Sequence, residues 1–119
     1  MMKMVQTDKA PKPIGPYSQA IRAGEFLFLS GQIAADPSAN IETQTDSVLK
    51  NIEAILVSQN LTKKSVVKTT IFLTDLTHFS KVNEVYTDFF GDHKPARSTV
   101  EVSKLPKGAA IEIEAIAAF

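Results

Sequence analysis

The sequence predicts an α+β sandwich with two helices on one face of a mixed sheet, ordered β-β-α-β-α-β-β and forming a single domain over residues 1–119. Three observations carry that expectation. Two stretches repeat apolar residues at helical spacing, one through Val48, Leu49, Ile52, Ile55 and Leu56, the other through Phe79, Val82, Tyr86 and Phe89. Five other stretches carry strand signals, either alternation or β-branched runs bounded by Gly and Pro. A chain of 119 residues is too short for two helices to cover both faces of such a sheet, so one face stays open.

Residues 1–16 are polar and broken by Pro11, Pro13 and Pro16, and read as an arm or loop. Ile14-Gly15-Pro16-Tyr17 closes it, because Gly15 permits a tight bend and Pro16 pushes Gly15 toward extended geometry. Residues 18–22 read as a short strand and Ala23-Gly24-Glu25 as a turn. Phe26-Leu27-Phe28-Leu29 is a continuous apolar run, the pattern of a strand covered on both faces. It leads into Ser30-Gly31-Gln32, where Gly31 fits either a strand-end bulge or a close approach by another backbone or a ligand.

Residues 36–41 form a loop. Thr43 with Asp46 three positions on resembles a capping box for the first helix. Residues 66–74, VVKTTIFLT, are rich in β-branched side chains and read as a strand. Thr77 caps the second helix, and Gly91 ends it. Asn83, four residues after Phe79, joins the apolar side of that helix and needs hydrogen-bond partners. Two roles fit it, an asparagine that holds a loop or one that lines a pocket.

Residues 95–114, PARSTVEVSKLPKGAAIEIE, read as two strands joined by a Pro/Gly turn. Arg97, Thr99 and Glu101 share one face of the first, and Ser98, Val100 and Val102 share the other, apolar one. In the second, Ile111, Ile113, Ala115 and Ala117 oppose Glu112 and Glu114. Charges on a sheet face need partners, because a desolvated lone charge is costly. A solvated or cross-strand-paired face and a binding site both fit this pattern. The open face of the sheet is expected to carry Arg97, Thr99 and Glu112, an arrangement suited to a subunit interface.

Composition excludes several classes. Thirteen basic and thirteen acidic residues give no net charge, so no long-range field gathers nucleic acid or anionic lipid. No cysteine is present, which removes disulfides, thiolate nucleophiles and Cys-based metal sites. His78 and His93 lack a ligand-spaced partner, so each is expected to be structural or exposed. No apolar leader and no run approaching about 18 apolar residues is found. A soluble, cytoplasmic protein with no nucleic-acid or membrane partner is expected.

PARSTVEVSKLPKGAAIEIEA resembles the signature of the RidA/YjgF family of reactive intermediate/imine deaminases. IGPYSQAI, FLFLSGQIAADP, VVKTTIFLTDL and VNEVYTDFF resemble further family blocks in the same order, so the likeness spans residues 7–117. It implies a chorismate-mutase-like fold, a homotrimer with sites in the clefts between subunits, and no metal or organic cofactor. It also implies hydrolysis of enamine and imine intermediates such as 2-aminoacrylate and 2-iminopropanoate to a 2-oxo acid and ammonia.

On that resemblance Arg97 matches the arginine that grips the substrate carboxylate, a task suited to the planar guanidinium fork. Glu112 matches the glutamate that positions or activates water. Gly31 matches the glycine whose backbone N–H contacts the ligand, while Tyr17 and Asn83 match residues lining the site. Ser30 falls near the site without an assigned role. Thr99 departs from the many relatives with cysteine there; the contact implied is through the backbone, so threonine is tolerated and thiol regulation is impossible. Such a site would hold a small 2-imino or 2-oxo acid, bring water to the imine carbon and move protons. A non-catalytic small-molecule regulator using the same cleft is the alternative. RNA cleavage, attributed to some relatives, sits poorly with a neutral chain lacking a basic run.

Overall fold

Six strands form one mixed sheet with two helices against one of its faces in the computed structural model, which describes residues 2–119. In chain order they are β1 (Met2–Val5), β2 (Ala20–Ala23), β3 (Phe26–Gln32), α1 (Ile41–Ser58), β4 (Val66–Leu73), α2 (Phe79–Phe90), β5 (Ala96–Glu101) and β6 (Ile111–Ala118). Across the sheet the order is β1-β2-β3-β6-β4-β5. Every neighbouring pair is antiparallel except β4 and β5, which are parallel and joined through α2. The predicted α+β class holds, with one strand more than expected.

That extra strand lies in the segment read as an arm. Met4 pairs with Ile21 and Val5 with Ala20, and Val5 is buried while Met2 and Met4 are exposed. A four-residue edge strand carries little periodic signal, and the prolines beyond it give the stronger, loop-like signal. β2 begins at Ala20 rather than 18, because the preceding residue serves the loop. The buried Gln19 amide donates to the carbonyls of Thr7, Ala10 and Pro11, and its Oε1 accepts from the Thr7 N–H at 2.7 Å. One side chain thereby fastens the proline-rich segment to the body.

The helix starts also differ from expectation. α1 is capped by Asn40, whose Oδ1 accepts from the Thr43 N–H at 2.8 Å, so Thr43 lies inside the first turn. Before α2, Asp75 accepts from the Thr77 N–H and opens a short 3₁₀ turn, Leu76–His78; Thr77 is not the cap. Gly91 ends α2 with φ 62°, a conformation that suits glycine. The core lies between helices and sheet, where Leu49, Ile52, Ile55 and Leu56 of α1 meet Leu27, Ile71, Ile111 and Ile113. The apolar run in β3 alternates instead of being covered twice, since Leu27 and Leu29 are buried while Phe26 and Phe28 are each 45% exposed.

Register corrects a further expectation. β4 pairs Thr69 with Arg97, Ile71 with Thr99 and Leu73 with Glu101, so those three β5 residues face the helices. Glu112 pairs with Phe72 and points to the open face, with Ser98 and Val100. Arg97 and Thr99 therefore do not share the uncovered face with Glu112. The apolar side of β5 is the open one, with Val100 42% exposed, and Arg97 sits under α2 at the rim, where β5 ends the sheet. Among the described residues, no helix is long and apolar enough to cross a membrane.

Candidate active site

Within one chain the site residues expected from sequence fall into two groups on opposite faces of the sheet. The first is built on β5 and α2. Arg97 is half-buried, and its Nη1 donates to Asn83 Oδ1 at 2.8 Å. Its Cζ lies 5.0 Å from the Tyr86 ring centroid and 5.4 Å from that of Phe79. Asn83 thus serves by holding the arginine, a role between the two left open for it. Leu76, Phe79, Arg97 and Thr99 line a recess of about 480 Å³. Thr99 Oγ1 is buried there without a hydrogen-bond partner, a group that a ligand or water would satisfy.

Among the described residues Arg97 makes no ion pair. The only salt bridge among them joins Lys50 and Asp46 on the surface of α1. Glu101, on the same face of β5, is engaged elsewhere and accepts from the Leu76 N–H at 2.9 Å. A guanidinium carries five donors, and a neutral amide oxygen takes one of them. Arg97 lines the recess and makes no other side-chain hydrogen bond among the described residues, so an incoming carboxylate would find donors to take.

The second group sits on the other face, where β3 meets β6. The register slips between Leu29 and Gln32, placing Ser30 and Gly31 in an irregular stretch beside Glu112. A Cβ on Gly31 would lie 2.8 Å from Glu112 Cδ, so the glycine leaves the volume that the carboxyl occupies. The bulge expected at Gly31 is present, and what comes close to it is the Glu112 side chain rather than a backbone or a ligand. Ser30 donates its hydroxyl to the Ser18 carbonyl, and its N–H to the Gln19 carbonyl at 2.9 Å. Those bonds bring the loop carrying Tyr17 alongside; Tyr17 is 51% exposed, with its N–H on the Gly15 carbonyl at 3.0 Å. Burial, and next the charge of Glu114, push the Glu112 carboxyl above the ordinary carboxylate range. Such a group passes between acid and base more readily than an exposed glutamate.

The family model for endoribonuclease L-PSP matches residues 7–119. The chain belongs to the RidA/YjgF family. A RutC family protein of Pyrococcus horikoshii is 53% identical, the alignment covering 98% of each chain. A structure of a Rid family protein, YyfA from Yersinia pestis, superposes with a TM-score of 0.96 at 49% identity, covering 100% of both chains. TdcF of E. coli, crystallised with bound serine, gives a TM-score of 0.94 at 41% identity, with 98% of each chain covered.

Sequence reasoning missed several residues around Arg97 in this RidA/YjgF family chain. Tyr86 and Thr69 share a hydrogen bond of 2.7 Å beneath Arg97, and Leu76 walls the recess. A partial signal existed, because Phe79, Asn83 and Tyr86 fall on one helical face at spacings of four and three. Their target on β5 became visible only with the parallel pairing of β4 and β5. His93 is structural, its Nε2 donating to the Val66 carbonyl at 2.7 Å. No group of three or more His, Cys, Asp or Glu among the described residues is placed to hold a metal ion.

Proposed function

We propose that this chain is a hydrolytic deaminase of reactive enamine and imine intermediates, 2-aminoacrylate/2-iminopropanoate and similar 2-imino acids, yielding the 2-oxo acid and ammonia. The observation that carries the reading is the Arg97 guanidinium, half-buried at a recess, fixed by a neutral acceptor and two rings, and unpaired with any carboxylate among the described residues. The bound serine of TdcF supports it, since serine carries the α-carboxylate that such an arginine would grip.

Because Arg97 and Glu112 face opposite sides of one sheet, a site using both draws them from different chains. The reading therefore includes a homotrimer, with Arg97, Asn83 and Thr99 of one chain facing Tyr17, Ser30, Gly31 and Glu112 of the next. Arg97 holds the carboxylate. The imine nitrogen takes a proton from solvent, and Glu112 takes a proton from water as its oxygen adds to the iminium carbon, giving a carbinolamine with the second proton held on Glu112. Return of the proton to nitrogen lets the C–N bond break, the hydroxyl loses its proton, and ammonia leaves with the 2-oxo acid. Every atom comes from imine and water.

A coupled assay tests the reading, with a dehydratase generating imine and 2-oxo acid release followed with and without the protein. The parent should accelerate release. Arg97→Ala should remove both turnover and pyruvate binding in a folded protein, and Arg97→Lys should leave a weak remnant, since an ammonium lacks the fork. Pyruvate binding without turnover in the parent would mark a non-catalytic small-molecule binder. Parental turnover by folded Arg97→Ala would remove Arg97 from the site.

A further inference from the structure

α2 presents three side chains to the Arg97 guanidinium, and only Asn83 does so through a hydrogen bond. The other two are rings, and they differ in what holds them. Phe79, the first residue of α2, is 38% exposed. Tyr86 is buried, backed by the Phe90 ring at 4.7 Å, and its hydroxyl is bonded to that of Thr69, which is wholly buried on β4. Thr69 is also the β4 residue paired in register with Arg97. The contacts close a loop: the Arg97 backbone is set by the strand of Thr69, Thr69 holds the Tyr86 hydroxyl, and the Tyr86 ring faces the Arg97 guanidinium.

The two hydroxyls are costly for a purely packing role. Buried polar groups lose hydration and recover it only by bonding to one another, and Phe and Val would fill nearly the same space without that requirement. What the bond adds is a fixed ring. An aromatic face attracts a guanidinium most when the ring cannot turn away, and a long arginine side chain loses much rotational freedom when a ligand orders it. A ring fixed in advance removes part of that cost before the ligand arrives.

We propose that Tyr86, anchored by Thr69, is a positioning residue that presets the Arg97 fork for a substrate carboxylate. The proposal rests on the assignment of Arg97 to carboxylate binding. Burial pushes the Tyr86 phenol above its ordinary range, against the opposing effects of the Thr69 bond and the Arg97 charge. The ring therefore stays a neutral phenol throughout the working pH range.

The test combines a readout on the arginine with one on the ligand. Nitrogen-15 NMR of the Arg97 side chain follows guanidinium rotation about the Nε–Cζ bond, and calorimetry follows pyruvate binding. Tyr86→Phe and Thr69→Val should each speed that rotation several-fold and weaken pyruvate binding roughly 3- to 10-fold. That is less than the roughly 30-fold that losing a whole desolvated cation–π contact would cost, because the ring itself remains. In the imine assay KM should rise further than kcat falls, because the lost preorganisation acts on the carboxylate rather than on the reacting carbon. Thr69→Ser, which keeps the hydroxyl, should restore both readouts. Combining Tyr86→Phe with Thr69→Val should add little to either alone, since both break one bond. Unchanged Arg97 signals and pyruvate affinity in folded Tyr86→Phe and Thr69→Val would overturn the proposal. A loss of melting temperature with Arg97 signals unaltered would do the same, leaving the pair a packing feature. Should the parent neither bind pyruvate nor turn over imine, the carboxylate assignment fails, and the Arg97 signals alone decide whether Tyr86 positions it.

Discussion

Burial first, and Glu114 second, raise the Glu112 carboxyl above its ordinary range, and that direction has a consequence for stability. A raised pKa in the folded state means that protonated Glu112 contributes stability below its unfolded pKa, and the contribution is lost as pH rises through the folded value. Glu112→Gln cannot ionise and escapes that loss. It should be more stable than the parent at neutral pH, with the advantage gone below about pH 4. Its turnover should meanwhile fall about 10²–10⁴-fold, the usual worth of a general acid–base group. Urea unfolding at both pH values, beside the imine assay, checks the pair of effects. A variant less stable at both pH values would give Glu112 a structural role. Full turnover would pass the chemistry to Glu114 or to water alone. Both charged residues were visible in the sequence because charge on an otherwise apolar strand is conspicuous. The Thr69–Tyr86 hydroxyl pair was not, since a helix and a strand seventeen residues apart meet there only in three dimensions.

At the scale of elements, β3 shows how a local irregularity serves the site. The register slip between Leu29 and Gln32 places Gly31 where any side chain would strike the Glu112 carboxyl. No positive φ is involved, so the constraint is space rather than backbone conformation. Gly31→Ala should leave the fold intact but push the Glu112 carboxyl aside, lowering turnover at least tenfold, since misplacement by about 1 Å can cost 10²-fold. Pyruvate affinity, governed by Arg97, should change less. Parental activity in Gly31→Ala would mean that Glu112 works from another position. The strands and helices themselves were legible where periodicity ran for several turns or alternations, as in α1, β4 and β6. Their starts were not. Asn40 and Thr43 are both competent caps by residue type, and only the bond from the Thr43 N–H to the Asn40 side chain separates them. β1 was hidden because four residues at a sheet edge are held by pairing with β2 rather than by a pattern of their own.

For the whole molecule the decisive fact is which face each strand turns outward. Alternation in the sequence correctly puts Arg97, Thr99 and Glu101 on one face. The expectation that this face is the open one is wrong, because pairing with β4 turns it to the helices. The answer divides the site in two. Met2, Met4, Phe26, Phe28 and Val100 are exposed, and Phe26, Phe28 and Val100 lie with Glu112 on strands whose register turns them to the open side. An exposed apolar surface of this kind suits the interface between chains that the proposed function requires. Light scattering should report about three times the 13.0 kDa chain mass, and a stable monomer at micromolar concentration would sink the shared-site reading.

A mixed trimer provides the sharper test, because it asks where the two halves of one site come from. Neither Arg97→Ala nor Glu112→Gln should have appreciable activity alone. In a closed ring each site would take Arg97 from one chain and Glu112 from the next. If the two variants are unfolded together in equal amounts and refolded, a site is intact when its first chain is Glu112→Gln and its second is Arg97→Ala. Each condition holds half the time, so about a quarter of the sites should regain both native residues. A site built within one chain would regain none, since no chain in the mixture carries both. Recovery near one quarter of parental turnover, with separately refolded variants remaining inactive, therefore identifies a shared site. Mixed trimers without any recovery would instead require Arg97 and Glu112 to act from the same chain, against their placement on opposite faces of the sheet.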